Sequence, residues 1–331
     1  MNLSTLPKIE LHLHLDGSVN PMTASKILNC SVNDIVKELT VSDNCRDLNE
    51  YLTKFSLPEQ ILQTKENLSL IAENLALDLK KENVIYAEIR FAPMKHLKEG
   101  LTKEEVVDSI LEGLKKVDIQ TNLILCMMRG APYEENLEVI TLAKKYLHRG
   151  VCAIDLAGAE ALYKTEDYRS LFALAKKENI PFTIHAGEAD GKESIKSAIS
   201  FDPKRIGHGV RIIEAPELIP IIKKKNILLE ICPTSNIQTS IFKTYQDHPI
   251  KKLYDEFVPL SINTDNRTVS NTTLTEEYHH LITNLNMSIQ DIININKTTI
   301  LHTFLNSNEQ DKLLKKYTEL SDKWLKEQNK D

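Results

Sequence analysis

Residues 10–16 read Glu-Leu-His-Leu-His-Leu-Asp, and this stretch decides which fold the chain adopts. Successive side chains of a β-strand point to opposite faces, so a strand here has one polar and one apolar face. The polar face carries Glu10, His12, His14 and Asp16, and the apolar face carries Ile9, Leu11, Leu13 and Leu15. Two neutral imidazoles on one face can bind a single metal ion. An edge strand whose histidines face water has the same alternation, so this segment alone leaves both interpretations open.

Seven further apolar runs follow, and they alternate with segments of helical spacing. With 9–15, the predicted strands are 84–91, 122–128, 151–156, 181–185, 205–210, 227–232 and 258–263. The predicted helices between them include 103–117, 136–148, 168–178, 192–200 and 215–225. Eight strands that alternate with helices are typical of an α/β protein with a (β/α)8, or TIM, barrel. An open doubly wound sheet is the alternative, but no Gly-x-Gly-x-x-Gly turn follows the first strand.

The connection after the first strand is unusually long. It contains helix-like stretches at 22–28, 48–55 and 61–80, which predict a helical insertion at about 18–82. An insertion at this point emerges on the active-site face of a barrel, where it serves as a lid or only adds packing. Extra helices are predicted after the last strand at 274–285, from Ser288 onwards and at 309–326. We expect residues 1–331 to form one domain.

Composition and charge exclude several classes of protein. The 331 residues carry a formal charge of −6 and are 41% hydrophobic, so the chain lacks a basic surface suited to nucleic acid. No signal peptide precedes the first strand, and no apolar run is long enough to span a membrane. The five cysteines are scattered without a Cys-x-x-Cys pair and predict reduced thiols. We expect a cytoplasmic protein that binds neither nucleic acid nor membrane and has no obligate protein partner.

Polar residues collect at the predicted carboxyl ends of strands, where barrel enzymes keep their catalytic groups. The fifth strand leads into His185 and Glu188, the sixth contains His208 between two glycines, and the eighth leads into Asp265 and Asn266. Each of these residues taken alone is compatible with a purely structural role. Their combination with the histidines of the first strand indicates chemistry.

Three imidazoles and one carboxylate make up the predicted metal site: His12, His14, His185 and Asp265. Strands one and eight are neighbours in a closed barrel, so these side chains can converge on one point. Nitrogen and oxygen ligands of this kind suit Zn²⁺, and we predict one zinc ion per chain. Glu188 and His208 lie close by as acid–base groups. The remaining histidines lie in predicted helices or loops and are assigned no role: His96, His148, His248, His279, His280 and His302.

Six motifs occur in an order that is known from one protein family. They are Leu-His-Leu-His-Leu-Asp-Gly-Ser (11–18), Asp-Leu-Ala-Gly (155–158), His-Ala-Gly-Glu (185–188), Arg-Ile-Gly-His-Gly (205–209), Cys-Pro-Thr-Ser-Asn (232–236) and Ser-Ile-Asn-Thr-Asp (261–265). Through them the chain resembles the adenosine deaminase family of the amidohydrolase superfamily over residues 7–285. The resemblance implies a zinc-bearing (β/α)8 barrel that deaminates a purine nucleoside by hydrolysis at C6, a reaction of purine salvage.

The resemblance also implies roles for the matching residues. The metal ligands are His12, His14, His185 and Asp265, of which Asp265 also counts as catalytic and His14 as substrate-binding. His208 orients or deprotonates the water on the metal, and Glu188 donates a proton to N1 of the purine. Asp16 binds a ribose hydroxyl, and the backbone N–H of Gly158 binds N3. A protonated Glu188 neutralises the charge that develops at N1 during attack on C6.

Two positions depart from the family pattern. Asp265-Asn266 replaces the usual Asp-Asp, and Gly158-Ala159-Glu160 replaces Gly-Asp-Glu. Asn266 falls at the position that reads N7, and its amide donates a hydrogen bond without first taking up a proton. The departures leave adenine or a modified adenosine open as substrates. A phosphorylated substrate requires basic residues at strand ends, for which only Arg211 and Arg267 are candidates.

Three alternatives come from other classes of protein. A nucleoside-binding protein without catalysis stays open, although all six catalytic and ligand residues are present. A cytidine-deaminase type of zinc site is excluded, because no His-x-Glu is followed by Pro-Cys-x-x-Cys. A helix-borne zinc protease is excluded by the absence of His-Glu-x-x-His.

Overall fold

The computed structural model describes residues 2–42 and 45–328 and contains eight parallel strands. Their bounds are β1 Lys8–His14, β2 Val84–Phe91, β3 Gln120–Met128, β4 Val151–Ala157, β5 His185–Ala186, β6 Arg205–His208, β7 Leu228–Ile231 and β8 Leu260–Ile262. The strands pair in chain order within two four-stranded sheets, β1-β2-β3-β4 and β5-β6-β7-β8. Every pairing within the sheets is parallel.

Backbone hydrogen bonds join the two sheets at both of their edges. At one edge the N–H of His14 donates to the carbonyl of Asp265 (2.7 Å), and the N–H of Asp265 donates to the carbonyl of His12 (2.9 Å). At the other edge the N–H of Ile154 donates to the carbonyl of Pro181 (3.0 Å). The eight strands therefore follow one another around a ring, which confirms the predicted barrel over the open sheet.

The fifth strand is much shorter than the predicted segment 181–185. Pro181 has no N–H to give to a ladder, and Phe182 makes only an isolated bridge to Ile154. Regular pairing covers only His185 and Ala186, because the next residue, Gly187, has φ of +76° and leaves the extended conformation. The short strand β5 thus contains the predicted ligand His185 and ends two residues before Glu188.

Helices surround the strands, and the sequence pattern missed some of them. The α-helices of the described residues are α1 Pro21–Leu28, α2 Val32–Leu39, α3 Leu48–Leu52, α4 Ser56–Ile61, α5 Lys65–Lys81, α6 Lys103–Lys115, α7 Tyr133–Tyr146, α8 Arg169–Lys177, α9 Lys192–Phe201, α10 Ile219–Lys225, α11 Pro233–Gln238, α12 Ile250–Asp255, α13 Leu274–Leu285, α14 Ile289–Leu301 and α15 Ser307–Gln328. Helices α1–α5 lie in the long first connection, and α5 packs against α6 and β2. The single domain and the movement of a lid stay predictions.

Both faces of β1 are buried. The apolar face joins the main hydrophobic core, to which Leu11 and Leu13 contribute fully buried side chains. On the polar face His12 is 0% and His14 only 8% exposed, so the interpretation as an edge strand with histidines in water was wrong. Helix α14 closes the barrel beside this strand, and Asn296 accepts a hydrogen bond from the N–H of Ile9 (3.2 Å). Among the described residues, no helix combines the length and apolar character that crossing a membrane requires.

Candidate metal centre and active site

Imidazole and carboxylate groups converge inside one end of the barrel. One ligand atom from each of His12, His185, His208 and Asp265 lies within 4.8 Å of the others. Nε2 of His14 lies 3.3 Å from Nε2 of His185 and 3.4 Å from Oδ1 of Asp265. All four predicted ligands are therefore neighbours, and His208 lies among them as a fifth candidate.

Backbone conformation at two of these residues helps to direct their side chains. His208 at the end of β6 has φ of +57°, and Asp265 after β8 has φ of +60°. Left-handed backbone is uncommon for residues other than glycine, and it concentrates at functional sites. His208 ends β6 and Asp265 lies three residues after β8, both on the side of the barrel where the cluster lies.

The donor set fits a divalent metal ion. Nε2 of His12 is buried and has no hydrogen-bond partner among the described residues, although it lies 3.4 Å from Oδ1 of Asp265. Two neutral imidazoles also face each other through Nε2, at 3.3 Å between His14 and His185. Ligand atoms about 2.0–2.1 Å from a tetrahedral zinc ion lie about 3.3–3.4 Å apart. The spacing of these atoms thus matches the edges of such a site.

Two of the imidazoles have a carboxylate next to Nδ1, the ring nitrogen that faces away from the cluster. Nδ1 of His12 lies 2.9 Å from Oε2 of Glu230, and Nδ1 of His185 lies 2.9 Å from Oδ2 of Asp155. A carboxylate at Nδ1 keeps the ring proton there and leaves the lone pair of Nε2 free for a metal. Sequence reasoning missed Glu230, whose only signal was a charged residue inside the apolar run of β7.

One guanidinium group joins these two carboxylates. Arg90 donates from Nη1 to Asp155 (2.7 Å) and from Nη2 to Glu230 (2.8 Å), with a further bond to the carbonyl of Leu11 (2.7 Å). Arg205 contacts the other oxygen of Glu230 through Nε (2.6 Å). Burial raises the pKa of Glu230, but the two guanidinium charges outweigh it and hold that pKa below its ordinary value. The histidine-bound carboxylates therefore stay ionised.

Glu188 lies beside the cluster in an environment that favours its neutral form. Its Oε2 is 3.6 Å from Nε2 of His208, and its Oε1 is buried without a hydrogen-bond partner among the described residues. Burial raises the pKa of Glu188 well above its ordinary value, and the charges of Asp265 and Glu160 raise it further. A carboxyl group in this position can hold a proton at neutral pH and give it to a substrate.

Glu160 shapes the loop that carries Glu188. Its carboxylate accepts hydrogen bonds from four successive backbone N–H groups, those of Gly187 (2.6 Å), Glu188 (2.9 Å), Ala189 (2.7 Å) and Asp190 (3.1 Å). The side chain is only 1% exposed. In the sequence Glu160 stands out only as part of a departure from a family motif. Its role on the loop is not visible there, because its hydrogen-bond partners lie more than 25 residues away.

A cavity of about 240 Å³ opens on the cluster. Eight predicted site residues line it: His14, Asp16, Gly158, His185, Glu188, His208, Asp265 and Asn266. The first connection supplies a second wall, formed by Leu48, Tyr51, Leu52, Phe55 and Glu59. The insertion thus faces the site and gives it apolar and aromatic surface.

Three predicted substrate-binding residues show features suited to a ligand. Oδ1 of Asp16 is buried without a hydrogen-bond partner among the described residues. Gly158 has φ of +103°, which favours glycine there. Oδ1 of Asn266 is also buried and unpartnered, and it packs so closely on Gly17 that a Cβ there would lie 1.8 Å away.

The two arginines considered for a phosphate do not line the cavity. Arg267 forms an ion pair with Glu82, and Arg211 contacts Glu214 at 2.8 Å. Both guanidinium groups are therefore paired outside the site.

Comparison with known proteins agrees with this geometry. The model of the family described as adenosine deaminase matches residues 7–320. The chain belongs to the adenosine deaminase family. An adenosine deaminase from Clostridium kluyveri is 40% identical over 328 residues, which cover 95% of this chain and 94% of that protein. The predicted family and the predicted enzyme class are thereby confirmed, and the family is metal-dependent.

Solved structures show the same fold. The N6-methyl-AMP deaminase from Arabidopsis thaliana superimposes with a TM-score of 0.86 at 26% identity, covering 97% of this chain and 98% of that one. The adenine deaminase from Arthrobacter aurescens gives a TM-score of 0.86 at 21% identity, covering 97% and 99%. The α/β barrel fold is therefore shared across proteins whose names give different substrates.

Proposed function

We propose that this protein deaminates adenosine and deoxyadenosine by hydrolysis, releasing ammonia and forming inosine or deoxyinosine. The observation that carries the proposal is that the histidine–aspartate cluster and the buried carboxyl of Glu188 line one cavity. The name of the 40%-identical relatives supports adenosine as the substrate.

The proposed metal is one zinc ion per chain, held by His12, His14, His185 and Asp265. A bound zinc ion supplies a water whose pKa is lowered to about 7, so that hydroxide is available at neutral pH. Ser235 donates a hydrogen bond from Oγ to Oδ2 of Asp265 (2.7 Å), which fixes that carboxylate while Oδ1 faces the imidazoles. Glu230 orients the ring of His12, and Asp155 orients the ring of His185.

Glu188 carries the proton that the reaction needs. When the oxygen of water bonds to C6, electron density moves to N1, and the carboxyl of Glu188 gives its proton to N1. The C6–N6 bond then breaks, and the amino group leaves as ammonia with one proton from the attacking water, while the second proton of that water returns to Glu188. Glu188 acts where charge develops, which makes its effect on the barrier large.

The remaining cavity residues bind the nucleoside. We assign the ribose hydroxyl to the carboxylate of Asp16, whose Oδ1 makes no hydrogen bond within the described residues. We assign N3 to the backbone N–H of Gly158 and N7 to the amide of Asn266. The wall formed by Leu48, Tyr51, Leu52 and Phe55 offers apolar surface to the purine ring.

Charge at the cavity favours a nucleoside over a nucleotide. The basic residues that line the cavity are Lys95 and Arg129. Arg129 is committed to the carbonyl of His185 (2.6 Å) and to Thr165 (2.9 Å), and Lys95 lies 3.9 Å from Glu59. A 5′-phosphate would therefore meet guanidinium and ammonium groups that already have acidic or carbonyl partners.

A substrate panel tests the proposed function. Ammonia release is measured with adenosine, deoxyadenosine, adenine, AMP and the N6-methyl derivatives of adenosine and AMP. We expect the highest kcat/KM with adenosine or deoxyadenosine. A preference for adenine or an N6-methylated substrate would replace the proposed substrate, and no release from any compound would favour a binding protein without catalysis.

The metal site leads to a first prediction. Protein purified without added metal should contain about one equivalent of zinc, and His185→Ala should lose both the metal and turnover, because the same residues hold the ion and serve the reaction. Elemental analysis measures the metal, and His302→Ala is the matched control at a histidine outside the cluster. Full activity without any bound transition metal would contradict the prediction.

Asn266 leads to a second prediction. Its amide should donate to N7, so 7-deazaadenosine should bind less well by about 1–3 kcal/mol, because the amide is left unpaired in a buried site. Asn266→Leu should lower kcat/KM for adenosine strongly and for 7-deazaadenosine little. Measuring both substrates on both proteins completes a double-mutant cycle. Equal losses on the two substrates would show that Asn266 does not read N7.

A further inference from the structure

A buried chain of hydrogen bonds leads from the backbone of α12 to His208. The N–H of Ile250 donates to Nδ1 of His248 (3.3 Å), and Nε2 of His248 lies 3.2 Å from Oδ1 of Asn236. Nδ2 of Asn236 in turn lies 3.0 Å from Nδ1 of His208. The three side chains are at most 3% exposed. We call His248, Asn236 and His208 the relay.

The backbone end of the relay fixes the direction of every bond in it. A backbone N–H can only donate, so Nδ1 of His248 is an acceptor and carries no proton. Burial lowers the pKa of His248 to about 3, so the ring is neutral at neutral pH and its proton lies on Nε2. Nε2 therefore donates to Oδ1 of Asn236. The amide nitrogen of Asn236 then donates to Nδ1 of His208, whose own proton must lie on Nε2.

This protonation pattern is opposite to that of the neighbouring imidazoles. His12 and His185 have carboxylates at Nδ1, which keep the proton there and leave Nε2 free to bind a metal. His208 has an N–H donor at Nδ1, so its Nε2 carries the proton although it lies among the ligand atoms of the cluster. An Nε2–H group cannot coordinate a metal ion, but it can donate a hydrogen bond.

We propose that His248, acting through Asn236, is a positioning residue that holds His208 as its Nε2–H tautomer, excludes His208 from the metal ligands and makes it a hydrogen-bond donor to the attacking water. The inference rests on the proposed function for the identity of that water. It also decides between two roles of His208: the ring orients the water and does not take a proton from it at Nε2.

Asn236→Asp tests the relay with almost no change in side-chain volume. The new carboxylate accepts hydrogen bonds from both histidines, so His208 should move its proton to Nδ1 and turn a free lone pair towards the cluster. Two-dimensional ¹H–¹⁵N spectra of the zinc-loaded protein with ¹⁵N-labelled histidine report the tautomer. We expect Nε2–H at His208 in the wild type and Nδ1–H in the variant, with kcat lowered by about 10- to 100-fold.

Metal retention and a second pair of variants separate this effect from structural damage. With His208 as an added ligand, Asn236→Asp should release zinc to a chelator more slowly than the wild type, whereas a damaged site would release it faster. His248→Gln keeps an N–H donor and should preserve most of kcat, whereas His248→Leu should lower it by about tenfold.

Two results would overturn the proposal. One is an Nδ1–H tautomer at His208 in the wild type, and the other is an unchanged tautomer in Asn236→Asp. Because the spectra do not depend on turnover, failure of the substrate panel would leave this test of the relay intact.

Discussion

Glu188→Gln is expected to lower kcat by about 10²–10⁴-fold while the bound metal is retained. The glutamine amide has nearly the same shape as the carboxyl but holds no proton that it can give to N1. Glu188 lies beside the predicted ligands, 3.6 Å from Nε2 of His208, but is not needed to complete the ligand set. Steady-state kinetics with adenosine and elemental analysis of the same sample measure the two effects.

The control for this variant is Glu193→Gln. Glu193 lies on the surface of α9, close in sequence, with a side chain that is 71% exposed, and it makes a 3.9 Å ion-pair contact with Lys196. The same chemical change there should leave kcat unaltered. A Glu188→Gln protein with near wild-type kcat would end the assignment of Glu188 as the proton donor, and loss of zinc would make its role structural.

Arg90→Met is expected to lower the free energy of unfolding by about 3–5 kcal/mol, the usual result of removing one partner from a buried ion pair. Arg90, Asp155 and Glu230 are all 0% exposed, so removing the guanidinium leaves buried carboxylate charge without that partner. The two carboxylates would repel each other and release their histidines. We also expect metal affinity to fall by about 10- to 100-fold, because these carboxylates orient two predicted ligands.

Urea unfolding with and without bound zinc measures the first effect, and competition with a chelator measures the second. If the methionine variant does not fold, Arg90→Lys takes its place. The lysine keeps the positive charge but cannot bond both carboxylates, so this variant should still lose metal affinity. Arg169→Met is the matched control, because the ion pair of Arg169 with Glu166 is exposed and should contribute little. Unchanged stability and affinity in Arg90→Met would contradict the proposed role.

The fold and the family were predictable from the sequence because their signals are local. The alternation of residues 10–16 has a period of two, which is a property of the strand itself. Eight apolar runs alternating with helical segments indicated the barrel, and the order of six short motifs identified the family. Eight of the residues that line the cavity were also found in this way, because the carboxyl ends of barrel strands meet on one face.

Other groups became visible only when the strands were closed into a ring. Arg90 on β2 contacts Glu230 on β7, 140 positions away in the sequence, and no local sequence pattern predicts that pairing. His248 was assigned no role from the sequence, since its partner Asn236 lies across a turn that the helical and strand periods do not describe. The likeness to the family predicts which residues meet a substrate. Only the tertiary structure indicates which nitrogen of His12, His185 and His208 holds the proton, because that choice depends on the group packed against Nδ1 of each ring.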